Sequence, residues 1–179
     1  SRGLGDVYKR QGKLNKNKGI EDLIDVYTRF QENENLSNFE LTLLIGGTGS
    51  EHYVKTLKNK IKSNNVKFLG YVEDRYSFFE SIEIFVFPSY SEGLGLVLLE
   101  AMAHGVICIT RDVTPMNSIV DNEENGFLFE DNKELLEKIE MVLKLNSTEK
   151  NKLVQSAIKK IEKSYSIMQM YLSTEKAYN

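Results

Sequence analysis

The stretch IEIFVFPS (82–89) is apolar throughout apart from Glu83 and its closing serine. A strand with one wet face alternates apolar and polar side chains, so a near-continuous run demands cover on both faces. FELTLLIGG (39–47) and VICIT (106–110) read the same way, and VKFLG (66–70) and GFLFE (126–130) add shorter strands. Between them the period changes. Ile20, Leu23, Ile24, Tyr27 and Phe30 recur at helical spacing, as do Tyr53, Val54, Leu57 and Ile61 within 50–63. DRYSFFESI (74–82) predicts a short helix, and a further helix is expected over about 95–104. Asp131 with Glu134 three residues on resembles a capping box that opens a helix over 132–144, and another amphipathic helix covers about 147–163. Strands alternating with helices predict an α/β domain with a parallel sheet and helices on both faces. Ligands of such sheets bind at the carboxyl ends of the strands, so the loops after strands are where function is to be sought.

Composition narrows the class. The 179 residues fit one domain, and 41% hydrophobic with 27% charged is ordinary for a globular chain. No window reaches the ~18–20 consecutive apolar residues of a membrane span, and no secretory signal is visible. A net charge of −3 gives no reason to expect nucleic acid as partner. Cys108 is the single cysteine, which excludes an internal disulfide and fits a reducing compartment. A cytoplasmic domain is expected.

The loop YSEGLGLVLLEAMAHG (90–105) carries the most chemical information. Pro88 ends the strand ladder, and Gly93 and Gly95 let backbone approach a ligand closely. The helix that follows starts at the carboxyl edge of the sheet with its positive dipole end outward, which suits phosphate. Glu92 precedes this helix and Glu100 lies in it. Full helicity from 92 to 100 would set them about 12 Å apart along the axis. Carboxylates repel phosphate but accept hydrogen bonds from hydroxyls, so the two suit rings on either side of an anion. Sugar, pyrophosphate and ribose make a nucleotide sugar. The plainer reading is a surface connection with two solvated glutamates.

FVFPSYSEGLGLVLLEAMAHG resembles the nucleotide-sugar-binding half of the retaining glycosyltransferases of GT-B fold called glycosyl transferases group 1, whose signature is a Glu, seven residues, and a second Glu. The resemblance covers about residues 12–145. GKLNKNKGIEDLI is similar to the family's Gly-Arg-Leu…Lys-Gly segment, LLIGGTGSE to its Gly-rich turn, VKFLGYV to its Phe-x-Gly-Tyr segment, and DNEENGFLF to its late Asn-Gly hairpin. It implies a Rossmann-like domain, the C-terminal half of a GT-B enzyme, that binds a nucleotide-diphosphate sugar for glycosyl (hexosyl-type) transfer with retention. Lys13 stands at the family's Arg position and Lys18 at its Lys position, and both would hold the donor diphosphate with Gly12 beside them. Lys13 keeps the charge but loses the planar fork of arginine. Glu92 would face the donor sugar and Glu100 the ribose hydroxyls. The backbone of Gly93, Leu94, Gly95, Leu96 and Val97 would meet sugar and phosphate oxygens, and Tyr71 and Val72 would lie near the base. DVTPMNSIV (112–120) departs from the family's Gly-Gly-x-Pro-Glu pattern, which leaves the sugar open.

Departing diphosphate charge must be neutralised by a metal or by protein cations. No carboxylate or histidine cluster has metal-ligand spacing in the sequence, so no metal cofactor is expected, and excess chelator should leave turnover of the full-length enzyme intact. The acceptor, a glycan or lipid-linked sugar, would come by way of an N-terminal domain that this chain lacks, leaving it inactive alone. In the full-length protein peripheral association with the membrane is compatible with this reading.

Two alternatives stand beside it. IGGTGSEH (45–52) is placed like a dinucleotide fingerprint of an NAD(P)-binding oxidoreductase or epimerase. Its last glycine position, however, falls on His52, and the turn follows the second strand. A noncatalytic nucleotide-binding module is the other. His52, His104, Cys108, Phe78-Phe79 and the Tyr27/Phe30 stripe read as packing or surface residues, and the Lys-rich face of 147–163 as solvated helix.

The expected organisation is 1–11 foreign or disordered, 12–163 the donor-binding domain, and 164–179 a tail that docks on the absent domain. SRGLGDVYKRQ resembles a cloning scar. Its DVYKRQ is too charged to be the buried first strand expected before Gly12.

Overall fold

A computed structural model describes residues 6–9 and 13–165, with side chains from Leu14 onward. Strands β1 (Asp6–Lys9), β2 (Lys13–Leu14), β3 (Thr42–Gly46), β4 (Thr48–Gly49), β5 (Val66–Gly70), β6 (Ile84–Phe87), β7 (Ile107–Arg111) and β8 (Phe127–Phe129) alternate with seven helices among the described residues. These are α1 (Ile20–Glu32), α2 (Glu51–Lys60), α3 (Arg75–Ser81), α4 (Leu96–Ala103), α5 (Met116–Ile119), α6 (Asn132–Lys144) and α7 (Ser147–Ser164). Six strands form one sheet in the order β5-β3-β1-β6-β7-β8, every pair parallel. The chain runs outward from β1 through β3 to β5, crosses back to β6 on the other side of β1, and runs outward again. Loops after β1 and β6 therefore diverge where the order reverses, which is where such sheets open a binding crevice.

The apolar strands are continuous because both faces are covered. Leu43, Ile45, Ile84, Val86, Ile107 and Ile109 enter one core with α1, α2 and α6. Phe85, Phe87 and Cys108 enter the other with α3, α4 and α5, joined by Ala157 of α7. Cys108 is fully buried, and burial pushes its thiol well above the ordinary range, so it is a packing residue as its surroundings in VICIT suggest. Phe78, Phe79, Tyr27 and Phe30 are buried too. His104 stacks on Phe79 at 5.4 Å between centroids.

Two expectations need correction, and one element was not foreseen. DVYKRQ was expected to be too charged for the first strand, yet the backbone of Asp6–Lys9 fills the central slot, in register with Thr42–Ile45 on one side and Ile84–Phe85 on the other. Ladder hydrogen bonds come from the peptide groups, which a charged sequence supplies as well as an apolar one. The Lys-rich face of α7 is not simply solvated: Lys150 pairs with Glu83, and Lys160 with Asp121 at 2.6 Å, fastening the helix to the sheet's edge loops. The segment 112–120 contains α5, whose four residues carry too short a pattern for periodicity to show. The tail, residues 166–179, lies outside the described residues.

Asp131 does cap α6, accepting from the N–H groups of Lys133 and Glu134. Glu134 reaches back to the N–H of Glu130, one residue earlier than a reciprocal box requires. The N–H of Glu134 above all holds the Asp131 carboxyl below its ordinary value of 3.8. A carboxyl with a lowered folded-state pKa contributes stability above its unfolded value, and that contribution is lost as the pH falls through the folded one. Thermal melts of the wild type and Asp131→Ala are therefore expected to differ near neutrality, the variant melting lower, and to converge in acid. A gap that persists unchanged into acid would assign the helix start to something other than this carboxylate.

Candidate active site at the sheet's switch point

The loop after β1 forms a single 3-10 turn, Lys16–Lys18, and ends on Gly19 at φ 62°. A Cβ on Gly19 would stand 2.2 Å from the carbonyl oxygen of Pro88, so only glycine lets this loop lie directly on the end of β6. The N–H of Tyr90 then donates to the Asn17 carbonyl at 2.9 Å. Both loops at the switch point are thus stitched together by backbone.

This contact brings Lys18 to Glu92. The ammonium lies 2.9 Å from Oε1, with the two side chains only 17% and 4% exposed. Beyond the pair, Gly95 at φ 65° caps α4, its carbonyl accepting from the N–H groups of Leu98 and Leu99. The first N–H groups of a helix have no intrahelical acceptor and carry the positive end of its dipole. They open on a cavity of about 310 Å³ lined by Arg75, Glu92 and residues 93–97. A Cβ on Gly93 would meet nothing within 4 Å, because it would project into open space. A guanidinium, a carboxylate paired with an ammonium, and a helix N-terminus offer cationic and acceptor groups side by side.

A buried cation holds the frame. Arg111, at the end of β7, donates from Nε to the Pro88 carbonyl, from Nη1 to the Glu130 carbonyl, and from Nη2 to Asp22 at 2.7 Å. Its guanidinium lies over the rings of Tyr90 (4.2 Å) and Phe129 (4.9 Å). Tyr90 completes the clasp, its hydroxyl donating to Asp22 at 2.5 Å, and this hydrogen bond is the main cause that pushes the phenol pKa up. Asp22 sits in the first turn of α1, so Arg111 ties the ends of β6, β7 and β8 to the helix that follows Lys18.

Of the residues singled out from sequence, Glu92 and 93–97 line the cavity, and Lys18 stands behind it, paired with Glu92. Helix α4 begins only at Leu96, so Glu92 stands in the loop and not on a helical face with Glu100. Glu100 is one step back: Nη1 of Arg75 holds its two oxygens at 2.6 and 2.8 Å, and Arg75 itself lines the cavity. Tyr71 is exposed and Val72 half-buried, following Gly70, whose carbonyl accepts from Gly47. Lys13 contributes its backbone to β2, paired with Thr48–Gly49, and its side chain is not among those described. Gly12 lies outside the described residues.

The family model for glycosyl transferases group 1 matches residues 11–160. The chain belongs to this family. It is 31% identical over 172 residues to the capsular polysaccharide biosynthesis glycosyltransferase CapM of Staphylococcus aureus, across 94% of this chain and 44% of CapM. Over 111 residues it is 32% identical to mannosylfructose-phosphate synthase of Agrobacterium fabrum, covering 56% of this chain and 24% of that enzyme. Among solved structures, the C-terminal domain of the group 1 family protein LpcC from Francisella tularensis superposes with a TM-score of 0.77 at 23% identity, covering 92% of this chain and 87% of that one. Anabaena HepE, solved with UDP and glucose, superposes with a TM-score of 0.83 at 20% identity, covering 99% and 49%. The fold is that of a GT-B domain, and the chain spans less than half the length of CapM or HepE.

Membership of the family also explains the Gly-rich turn that suggested a dinucleotide site. Gly47 donates to the Gly70 carbonyl and β4 pairs with β2. A Cβ on Gly49 would sit 2.9 Å from the Leu14 carbonyl. The turn is used in packing against β2. Arg111, Asp22, Tyr90 and Arg75 were not foreseen. Arg111 left one signal, a charge closing the apolar run VICIT; Arg75 left none. Among the described residues no helix is long and apolar enough to cross a membrane.

Proposed function

We propose that this domain binds a nucleoside-diphosphate sugar at the cavity lined by Arg75 and residues 92–97, beside the Lys18 turn, as the donor half of an enzyme that transfers the sugar to an acceptor glycan or lipid-linked sugar with retention. The observation that carries the reading is the Lys18–Glu92 pair beside the N-terminus of α4. Cleavage of the bond between the anomeric carbon and the diphosphate sends the electron pair out with the nucleoside diphosphate. Lys18 and the first N–H groups of α4 offset that charge, the Lys18–Glu92 pair being largely buried. Glu92, at the sugar end, complements the positive charge that develops on the ring. The complex of HepE with UDP and glucose, and the naming of CapM as a capsular polysaccharide enzyme, support the substrate class. The acceptor half would be supplied by further chain, as the partial coverage of CapM suggests.

Saturation-transfer NMR of the 179-residue chain against UDP-, GDP-, ADP- and CMP-sugars tests the reading. One family of donors is expected to bind, and Lys18→Ala should weaken it about tenfold or more through loss of a charge-assisted contact to phosphate. Binding of none of them by the folded chain would overturn the proposal.

A further inference from the structure

We propose that Arg75 is a positioning residue for nucleoside recognition, acting through Glu100; the inference rests on the donor-site reading above. Glu100 projects from the middle of α4 and its side chain is 36% exposed. A glutamate so placed samples several rotamers unless something holds it. Arg75 does so from a different element. It opens α3, which is fixed by the Asp74 cap on Ser77 and by burial of Phe78 and Phe79. One nitrogen, Nη1, donates to both carboxylate oxygens, at 2.6 and 2.8 Å.

This geometry leaves the carboxylate useful. A carboxylate offers about four acceptor sites, and Nη1 occupies one on each oxygen. The free site on each oxygen lies on the outer edge and points away from the other, so each can take one hydroxyl donor. Arg75 also lines the cavity where Glu100 does not, so it stands between that carboxylate and the proposed anion site. With Glu92 at the sugar end in the donor-site reading, the ribose hydroxyls on the other side of the diphosphate are the donors left for Glu100. Arg75 thereby sets Glu100 in advance for ribose, and discrimination between ribose and its deoxy forms depends on both residues.

The test is calorimetry on the 179-residue chain with the nucleoside diphosphate that binds best, its 2′,3′-dideoxy counterpart, and Arg75→Ala, Arg75→Lys, Glu100→Ala and the double variant. The wild type is expected to prefer the ribonucleotide by about tenfold or more, the loss of a charge-assisted hydrogen bond. Arg75→Ala should bring that preference, the ratio of the two affinities, down several-fold beyond any loss of diphosphate binding common to both nucleotides, and Arg75→Lys should restore part of it. The double variant should lose no more than Glu100→Ala alone, because the two residues act as one unit. A preference unaltered in Arg75→Ala overturns the inference, as does tighter ribonucleotide binding, which would make Arg75 a competitor for Glu100. Wild-type binding without any preference overturns it as well but leaves the donor site standing. Failure of every nucleotide to bind overturns both.

Discussion

Arg111→Ala is expected to destabilise the domain by about 3–5 kcal/mol, the usual effect of removing one partner from a buried ion pair. Its guanidinium is 8% exposed, and its loss strands the Asp22 carboxylate, itself 20% exposed, without a cation. The carbonyls of Pro88 and Glu130 lose their donors, and a gap opens between Tyr90 and Phe129. Against a total stability of about 5–15 kcal/mol for a typical domain, that is a large share. Urea unfolding followed by circular dichroism measures it. Arg111→Lys should recover only part, because an ammonium cannot bond two carbonyls and a carboxylate in a plane while stacking between rings. Nucleotide affinity should fall in the lysine variant as well, since the start of α1 and the Lys18 turn are held by the same clasp. A loss below about 1 kcal/mol in Arg111→Ala would class the group with exposed pairs and remove it as the frame of the site.

Gly19→Ala is the second large effect. The left-handed backbone costs an alanine about 1–2 kcal/mol, and the overpacked contact adds about 1–3 kcal/mol. The obstacle is the Pro88 carbonyl, which is backbone and cannot swing aside as a flexible side chain would. Relief comes from lifting the 16–19 turn off β6, and with it Lys18 leaves Glu92 and Asn17 leaves Tyr90. Diphosphate binding should therefore weaken at least as much as in Lys18→Ala, although no side chain that touches the ligand has been changed. Denaturant melts together with nucleotide titration check both parts. A variant as stable as the wild type would show that the close approach at Pro88 is not required.

The sheet was legible because its strands are buried on both sides. Ile84–Phe87 and Ile107–Arg111 have every residue buried, and such runs show in a sequence without knowledge of their neighbours. Helix α6 was legible to its first and last residue, since the Asp131 cap and the apolar period are both local. β1 was not legible: its place between β3 and β6 rests on backbone pairing, to which side-chain hydropathy is blind. Nor was the Asn146 cap of α7, though Asn146 and Glu149 form a full capping box three residues apart.

For the candidate site, Glu92 and residues 93–97 of FVFPSYSEGLGLVLLEAMAHG line one cavity, because a loop of 92–97 is contiguous and folds as a unit, while Glu100 and Lys18 join it through Arg75 and Glu92. What the chain order could not contain is the set of partners. Lys18 meets Glu92 across 74 residues, Arg75 meets Glu100 across 25, and Arg111 meets Asp22 across 89. The sequence by itself determined a parallel α/β domain with helices on both faces of its sheet, the loop most suited to phosphate, and the carboxylates flanking it, since each follows from periodicity, glycine placement and residue type within a short window. Only the tertiary structure decided which cation neutralises which carboxylate. Charge pairs form wherever the crossover from β5 back to β6 brings strand ends together, and that closure is a property of the whole sheet.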